Sequence, residues 1–495
     1  MSEASGRKKI LVISLSYLSR DPRVWRQIRQ LAGSGYEVTA AGFDDPCIEN
    51  VAFVQMKAAE NKAGGAGSGK GSVKTMVFAL PKGARAVVRF LVPKKARVKL
   101  WPAYRAVVKF LTHFFRSAAR FLRKTRASLS SMRKIAFARI RMLFQSVARA
   151  EKTLASIQKL NREAPAMAGS AGRGERKTLG QRYRESIFAF QESDSLESKK
   201  VKGGLAALRG QAFDLVVAND FSSLSVAFEI RGDARLLYDA HEYTLGQYDT
   251  EEWKRDRLPY IKYILGKYLP RVDGMLTVSG GIADEYEKSC GIRPSVITNA
   301  GKYRDDLKPT EVLPGRIRIV HHGIAHSSRS IEEMMETVAL LDERFTLDFY
   351  VVGKQDDYYW NLRKRADEIG RITFRDPVPM PELPDVLNGY DVGLFIHKPV
   401  SLNAFHVLPN KLFEFVQARL MVAIGPSHEM ADVVRRYGLG VVAEDFSPEA
   451  MARMLSDLSA ERIAGYKKNC DTHARELSEI PQMEKLGAIV REMLA

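Results

Sequence analysis

Short runs of consecutive apolar residues alternate along this chain with longer stretches in which apolar residues recur every three or four positions. The first kind suits strands of a parallel sheet buried on both faces, and the second suits amphipathic helices laid over that sheet. Residues 9–15, 36–42, 213–220, 234–238, 274–279 and 295–299 read as one set of strands, and residues 317–323, 347–353, 391–396 and 420–424 as another. Pro22 is placed to open the first helix, which the cluster Gly33-Ser34-Gly35 should end. This β-α-β alternation predicts doubly wound α/β domains, which bind ligands at the carboxyl ends of their strands. Polar residues stand at several such ends: Asp220, Asp239 to Glu242, and Ser279. A linker with Pro309 and Pro314 separates the two sets, and a last helix over 481–495 is long enough to reach back across an interdomain cleft. No G-x-G-x-x-G is present, so a dinucleotide oxidoreductase has little support, and no solenoid-period repeat is visible.

Composition changes this picture in one place. A chain of 495 residues with 45% hydrophobic content is expected to form two or three soluble domains. No segment offers the ~20 uninterrupted apolar residues of a membrane span, and the N-terminus runs into its strand without a signal-peptide apolar region. Cys47, Cys290 and Cys470 are far apart with no CxxC pair, which points to a reducing cytoplasm and no structural zinc. The net charge of +19 is local: residues 61–150 hold 22 Lys and Arg and no Asp or Glu, which leaves the remainder near −3. Gly- and Ser-rich stretches at 63–72 and 164–174 flank this basic part like flexible tethers.

The chemistry concentrates at residues 406–415, His-Val-Leu-Pro-Asn-Lys-Leu-Phe-Glu-Phe. Pro409 and Asn410 start a helix well, and the free amides of its first turn suit a phosphate. Lys411 adds a full charge at that end, and Glu414, on the same face, can accept the hydroxyls of a ribose. A diphosphate beside a ribose means a nucleotide, although an ordinary capped helix with a Lys–Glu pair fits the same ten residues.

Read in order, Asp21-Pro22-Arg23, Asp239-Ala240-His241-Glu242, Val278-Ser279, Asn299, Gly323 with Arg329, Gly353, and Pro409-Asn410-Lys411 with Glu414 resemble the GT-B glycosyltransferases, specifically the retaining group 1 or family 4 enzymes. The similarity covers residues 8–56 and 205–490. It implies two Rossmann-like domains facing a cleft, the first carrying the acceptor and the second the nucleotide-sugar. In that family Glu414 would hold the ribose, and Gly323, Gly353, Pro409 and Asn410 would line the nucleotide-sugar site. Lys411 and Arg329 would form a cationic clamp on the diphosphate, so that no metal or other cofactor is required. His406 stands where the family often has a glutamate near the donor sugar, and Ile324 where it has an arginine after the glycine. The resemblance places His241 against the donor sugar as a catalytic group, unless Asp239 merely fixes it, and puts Asp21 and Arg23 on the acceptor side, unless they form a plain salt bridge. Asp220 is expected at the same sheet edge, where it can also cap the following helix. His321, His322 and His326 lack carboxylate company and read as a loop, which argues against a metal site.

The expected organisation is an N-terminal Rossmann-like domain in two parts, 1–60 and 176–305, interrupted by a basic amphipathic helical insert at 61–175. A nucleotide-sugar-binding domain at 306–478 and the crossing helix at 479–495 follow. The expected function is transfer of a sugar from a nucleotide-sugar to a glycan or lipid-linked glycan, in surface polysaccharide or glycolipid synthesis. The alternatives are a non-catalytic module of this fold that binds a membrane surface and an epimerase, which would need more catalytic carboxylates. Taken as a helix, residues 105–124 gather Arg105, Lys109, Arg116, Arg120, Arg123 and Lys124 on one side and Val107, Phe110, Leu111, Phe114, Phe115, Phe121 and Leu122 on the other. That pattern suits an anionic membrane surface, hence a cytoplasmic protein peripherally held at the inner face of the membrane. It argues against nucleic acid, for which aromatics would interleave with the cations.

Overall fold

The computed structural model describes residues 7–56, 179–196, 201–353 and 355–495, which fall in one compact unit. The basic insert expected at 61–175 lies outside these residues, apart from the matter of its sequence. Seven strands form the first sheet: β1 (Lys9–Ser14), β2 (Glu37–Gly42), β3 (Val51–Gln55), β4 (Leu215–Asn219), β5 (Arg235–Asp239), β6 (Gly274–Thr277) and β7 (Ser295–Val296). Six form the second: β8 (Ile317–Ile324), β9 (Phe345–Val352), β10 (Ile372–Arg375), β11 (Val392–Phe395), β12 (Met421–Ile424) and β13 (Gly440–Val442). The orders are β3-β2-β1-β4-β5-β6-β7 and β10-β9-β8-β11-β12-β13, and every pairing within both sheets is parallel.

Each order runs outward from its first strand and then reverses, which gives each sheet one switch point, between β1 and β4 and between β8 and β11. Crossovers leave in opposite directions there, so the loops part and leave a crevice at the carboxyl ends. The apolar runs explain the layers. In β1, Leu11 and Ile13 pack into one core cluster while Ile10 and Val12 pack into another, so both faces are covered and strict apolar–polar alternation would fail.

Six helices matter for the site: α1 (Pro22–Gly33), α2 (Asp220–Ile230), α3 (Gly280–Cys290), α4 (Asn410–Gln417), α5 (His428–Tyr437) and α6 (Glu479–Leu494). α6 belongs to the end of the chain but buries Met483, Leu486 and Val490 with Val24, Ile28 and Leu31 of α1, and so returns to the first sheet. At the seam between the halves, Ser279 Oγ donates to the His406 carbonyl (2.8 Å) and the Gly281 amide donates to Glu429 Oε1 (2.7 Å). The Tyr243 amide donates to Asn403 Oδ1 (3.1 Å). Among the described residues no helix is long and apolar enough to cross a membrane.

Candidate active site

β8 carries its chain to the second switch point and ends on a glycine the geometry requires. Gly323 has φ +138°, and a Cβ on it would stand 2.6 Å from Lys411 Nζ and 2.8 Å from its Cε. The absent side chain is what lets the Lys411 ammonium lie over the strand end, 5.4 Å from the centre of the Phe395 ring at the end of β11. α4 delivers Lys411 there because Pro409, in extended conformation, takes the N-cap position and Asn410 begins the helix, as expected. Burial pushes the Lys411 ammonium down to about 8, with Arg329 acting in the same direction and Glu414 against it. Neither the Lys411 nor the Arg329 side chain has a hydrogen bond or ion pair among the described residues. Two cations without a bonded anion, one of them largely desolvated, suit an anionic ligand.

Three histidines complete this wall, and the sequence reading missed all three as site residues. His321 and His322 lie in β8 and not in a loop, and the period of two turns them to opposite faces. His321 bonds the Leu394 carbonyl through Nδ1 (2.9 Å) and packs against Phe349 and Phe395. His322 does have carboxylate company: Nε2 lies 3.2 Å from Glu414 Oε2 but is not aligned for a hydrogen bond. His397, just past β11, stacks on Phe395 and leaves its buried Nδ1 without a partner. Burial and the nearby Lys411 hold His321 at about 3 and His322 well below its ordinary value. Burial and the Arg329 and Lys411 charges hold His397 at about 4. All three are neutral at pH 7, so the fixed positive charge here is that of Lys411 and Arg329. Burial pushes the Glu414 carboxyl up, against the pull of Lys411 and of Arg26. Gly353 ends β9 at φ +157°, where a Cβ would press on the Ala325 carbonyl oxygen at 3.2 Å.

Opposite, β4 and β5 end in a polar cluster. His241 Nε2 pairs with Asn219 Oδ1 (2.9 Å), and Nδ1 lies 3.4 Å from Asp220 Oδ1. Asp239 is a weaker neighbour of the ring, at 3.9 Å, because both its oxygens are occupied by Arg23 and one by Gln27 as well. Asp220 does not cap α2. It holds φ +62° at the head of that helix, uncommon for a residue with a side chain, and faces the histidine. Burial pushes its carboxyl up, opposed by His241 and reinforced by Asp21, Asp239 and Glu242.

The two residues expected on the acceptor side both have partners within the fold. Asp21 caps α1, accepting from the Val24 amide (3.2 Å) and from Ser16 Oγ (3.2 Å). Arg23 is 5% exposed and grips Asp239 with two bonds of 2.8 Å while bonding the Ile297 carbonyl and Asn299. Against the Asp239 carboxyl, burial pushes up and Arg23 wins, so it stays below the usual carboxylate range. His406 lies in the seam and not beside Lys411: its Nδ1 faces Glu429 Oε1 at 3.4 Å, and it rests on Gly281, whose lack of a side chain admits the ring. Asn410 and Glu414 line a cleft of about 890 Å³ walled by both halves, with Pro22, Trp25 and Arg26 of α1 on its other side.

No family model and no curated protein matches the chain. Solved structures do. Sucrose-phosphate synthase from Thermosynechococcus elongatus aligns over 98% of this chain and 99% of its own at 13% identity, with a TM-score of 0.55. A trehalose-6-phosphate structure from E. coli, bound with UDP-2-fluoro glucose, aligns over 98% of both chains at 10% identity, with a TM-score of 0.54. S. aureus TarM in complex with UDP matches over only 60% of this chain and 59% of its own, at 12% identity and a TM-score of 0.47. At such identities the likeness is one of fold, and the fold is GT-B, two Rossmann-like domains across a cleft.

Proposed function

We propose that this protein is a glycosyltransferase that moves a sugar from a nucleoside-diphosphate donor to a glycan or lipid-linked glycan. The reading includes retention at the anomeric carbon and a place in surface polysaccharide or glycolipid synthesis. The observation that carries it is the pair of cations without bonded partners, Lys411 over Gly323 at a switch point and one helical turn from Glu414, with Arg329 close enough to act on its charge. In the transfer the bond from the anomeric carbon to the phosphate oxygen breaks, negative charge grows on the departing diphosphate, and an acceptor oxygen takes its place and gives its proton to the departing phosphate oxygen. Lys411, Arg329 and the first amides of α4 oppose that charge without reorganising, which is how a preformed site lowers a barrier. The neutral imidazoles add hydrogen-bonding nitrogens and no competing charge. Glu414 accepts the ribose hydroxyls, and His241, held at Nε2 by Asn219, turns Nδ1, near Asp220 but not hydrogen-bonded to it, to a sugar hydroxyl. A metal has no task in this scheme, since protein cations meet the charge.

The test is a thermal-shift series of nucleoside diphosphates, beginning with UDP because the E. coli neighbour holds a UDP-sugar. A diphosphate at a hundred times its Kd should stabilise the fold by about 2.7 kcal/mol. The matching nucleotide-sugar should then turn over, if only by slow hydrolysis. Binding with no turnover of any nucleotide-sugar would leave a cleft that binds without catalysing.

The lipid-linked acceptor and the inner membrane face rest on the basic sequence at 61–150. Each cation near an anionic leaflet contributes ~1 kcal/mol, so a handful suffices. Co-sedimentation should require anionic lipid, weaken with salt, and disappear on deletion of residues 73–163. Equal partitioning of both proteins would remove the membrane from the proposal.

A further inference from the structure

Arg26 is the one cation of α1 lining the cleft whose side chain has no bonded partner among the described residues. It is only 7% exposed. Its neighbours on the same wall are answered: Arg29 by Glu479, and Arg304 by Asp306 and Asp385. Lys302, exposed at the cleft mouth, is a second cation with no partner among the described residues. Burial and the Arg23 charge push the Arg26 guanidinium down to about 10, against the pull of Glu479, Glu414 and Asp21. A guanidinium held out of water without a partner is costly, and a cavity beside it offers room for one.

We propose that Arg26 and Lys302 form a binding site for an anionic oxygen group, a phosphate or a carboxylate, carried by the second substrate and distinct from the donor diphosphate. The inference rests on the reading of Lys411 and Arg329 as the diphosphate site. The walls of this cleft include Asn410 and Glu414 but not Lys411 or Arg329, so the site adjoins the ribose end of the donor and stands apart from its diphosphate. Trp25 adds an indole whose N–H is used on the Pro46 carbonyl (3.2 Å) and whose ring carries the Arg29 guanidinium 5.0 Å from its centre on one face, so the apolar wall it offers beside the cations is the other face. A flat apolar surface next to a planar, two-pronged donor fits a sugar ring bearing an anionic substituent. The sequence hides the site because Arg26 falls among the buried positions of an amphipathic helix.

The experiment is calorimetric titration of the full-length protein with inorganic phosphate and, separately, with glucuronate, each with and without saturating UDP. One of the two probes should bind the UDP-saturated wild type, and Arg26→Gln should weaken that binding at least tenfold. Arg26→Lys should keep part of it, and the Kd for UDP should stay within twofold in both variants. The melting temperature of ligand-free Arg26→Gln should not fall, because the substitution removes an unanswered buried charge. A lowered melting temperature with unchanged probe binding would make Arg26 structural and overturn the proposal. So would loss of UDP affinity in step with probe affinity, which would make Arg26 a diphosphate ligand. Equal binding of a probe to wild type and variant, or binding of neither probe, would also overturn it. If UDP fails to bind the wild type, the diphosphate reading fails, and the arms without UDP still test Arg26.

Discussion

Replacing Gly323 with alanine tests the diphosphate site at its most constrained atom. The new Cβ would lie 2.6 Å from Lys411 Nζ and 2.8 Å from Cε, well inside van der Waals contact. The obstacle meets the free end of a flexible side chain and not backbone, so the ammonium swings away while the strand stays. Backbone strain at φ +138° adds roughly 1–3 kcal/mol of destabilisation, which a chain of this size tolerates. Loss of one charge-assisted bond to phosphate costs roughly 1.5–3 kcal/mol, or about 10- to 150-fold in the Kd for UDP. Calorimetry should show that loss for UDP and none for uridine, which has no phosphate. Because the alanine acts through Lys411, it should cost far less UDP affinity in a Lys411→Ala background. If Gly323→Ala binds UDP within twofold of wild type, or weakens it equally in both backgrounds, the arrangement of Gly323 and Lys411 is not the phosphate site.

The other expectations are briefer. Lys411 titrates near 8 in the free protein, and a bound diphosphate raises it, so UDP affinity should be flat below pH 8 and fall about tenfold per unit above it, with proton uptake visible in buffers of different ionisation enthalpy. The sign for stability is opposite: between pH 8 and the ordinary value of 10.5 the unfolded chain binds more protons, so the free protein gains stability as pH rises, and Lys411→Met should abolish both slopes. Glu414→Ala should raise the donor KM at least tenfold while the fold survives, because two charge-assisted bonds to ribose of ~1.5–3 kcal/mol each disappear; an unchanged KM would remove the ribose assignment. His241→Ala should cut turnover by ~10²-fold and leave the Kd for UDP alone, whereas loss of UDP binding would make the histidine structural.

Much of this was legible in one dimension, and the rest was not, for physical reasons. Buried parallel strands announce themselves by apolar runs, and Pro409-Asn410 marks a helix start locally, so ten of the thirteen strands and the helix that carries Lys411 could be read, while β3, β10 and β13 were missed. The partners of Lys411 could not. Gly323 sits nearly ninety residues earlier, and its close approach exists only because β8 and β11 are neighbours across a reversal of strand order. His321 and His322 looked like a loop pair because two polar residues break an apolar run. In the fold, one is buried on aromatic rings and the other turned to Glu414. Arg23 showed the opposite failure. A charged residue near a predicted loop invites a ligand role, but this one is closed over Asp239 and gives α1 its seat on the sheet.

The carboxyl ends of the two sheets also differ in sign, and under the proposed function that difference would orient the donor. The wall at β8 and α4 offers Lys411 and Arg329 beside imidazoles that burial keeps neutral. Across from it, the β4 and β5 ends offer Asp220, Glu242 and the His241 ring, with the Asp239 charge absorbed by Arg23. A diphosphate pressed against the second wall would meet carboxylates, while sugar hydroxyls there would find acceptors. Reversing the donor therefore costs attraction on one side and adds repulsion on the other. The strained φ of Asp220 has a role in this scheme, because it turns a carboxylate away from its own helix cap and toward His241, where a sugar hydroxyl has a histidine and an acid to bridge. Asp220→Asn keeps the shape and removes the charge. It should lower turnover more than it weakens UDP, since the diphosphate lies against the other wall. Equal losses in both would place Asp220 with the nucleotide and undo this division of the cleft.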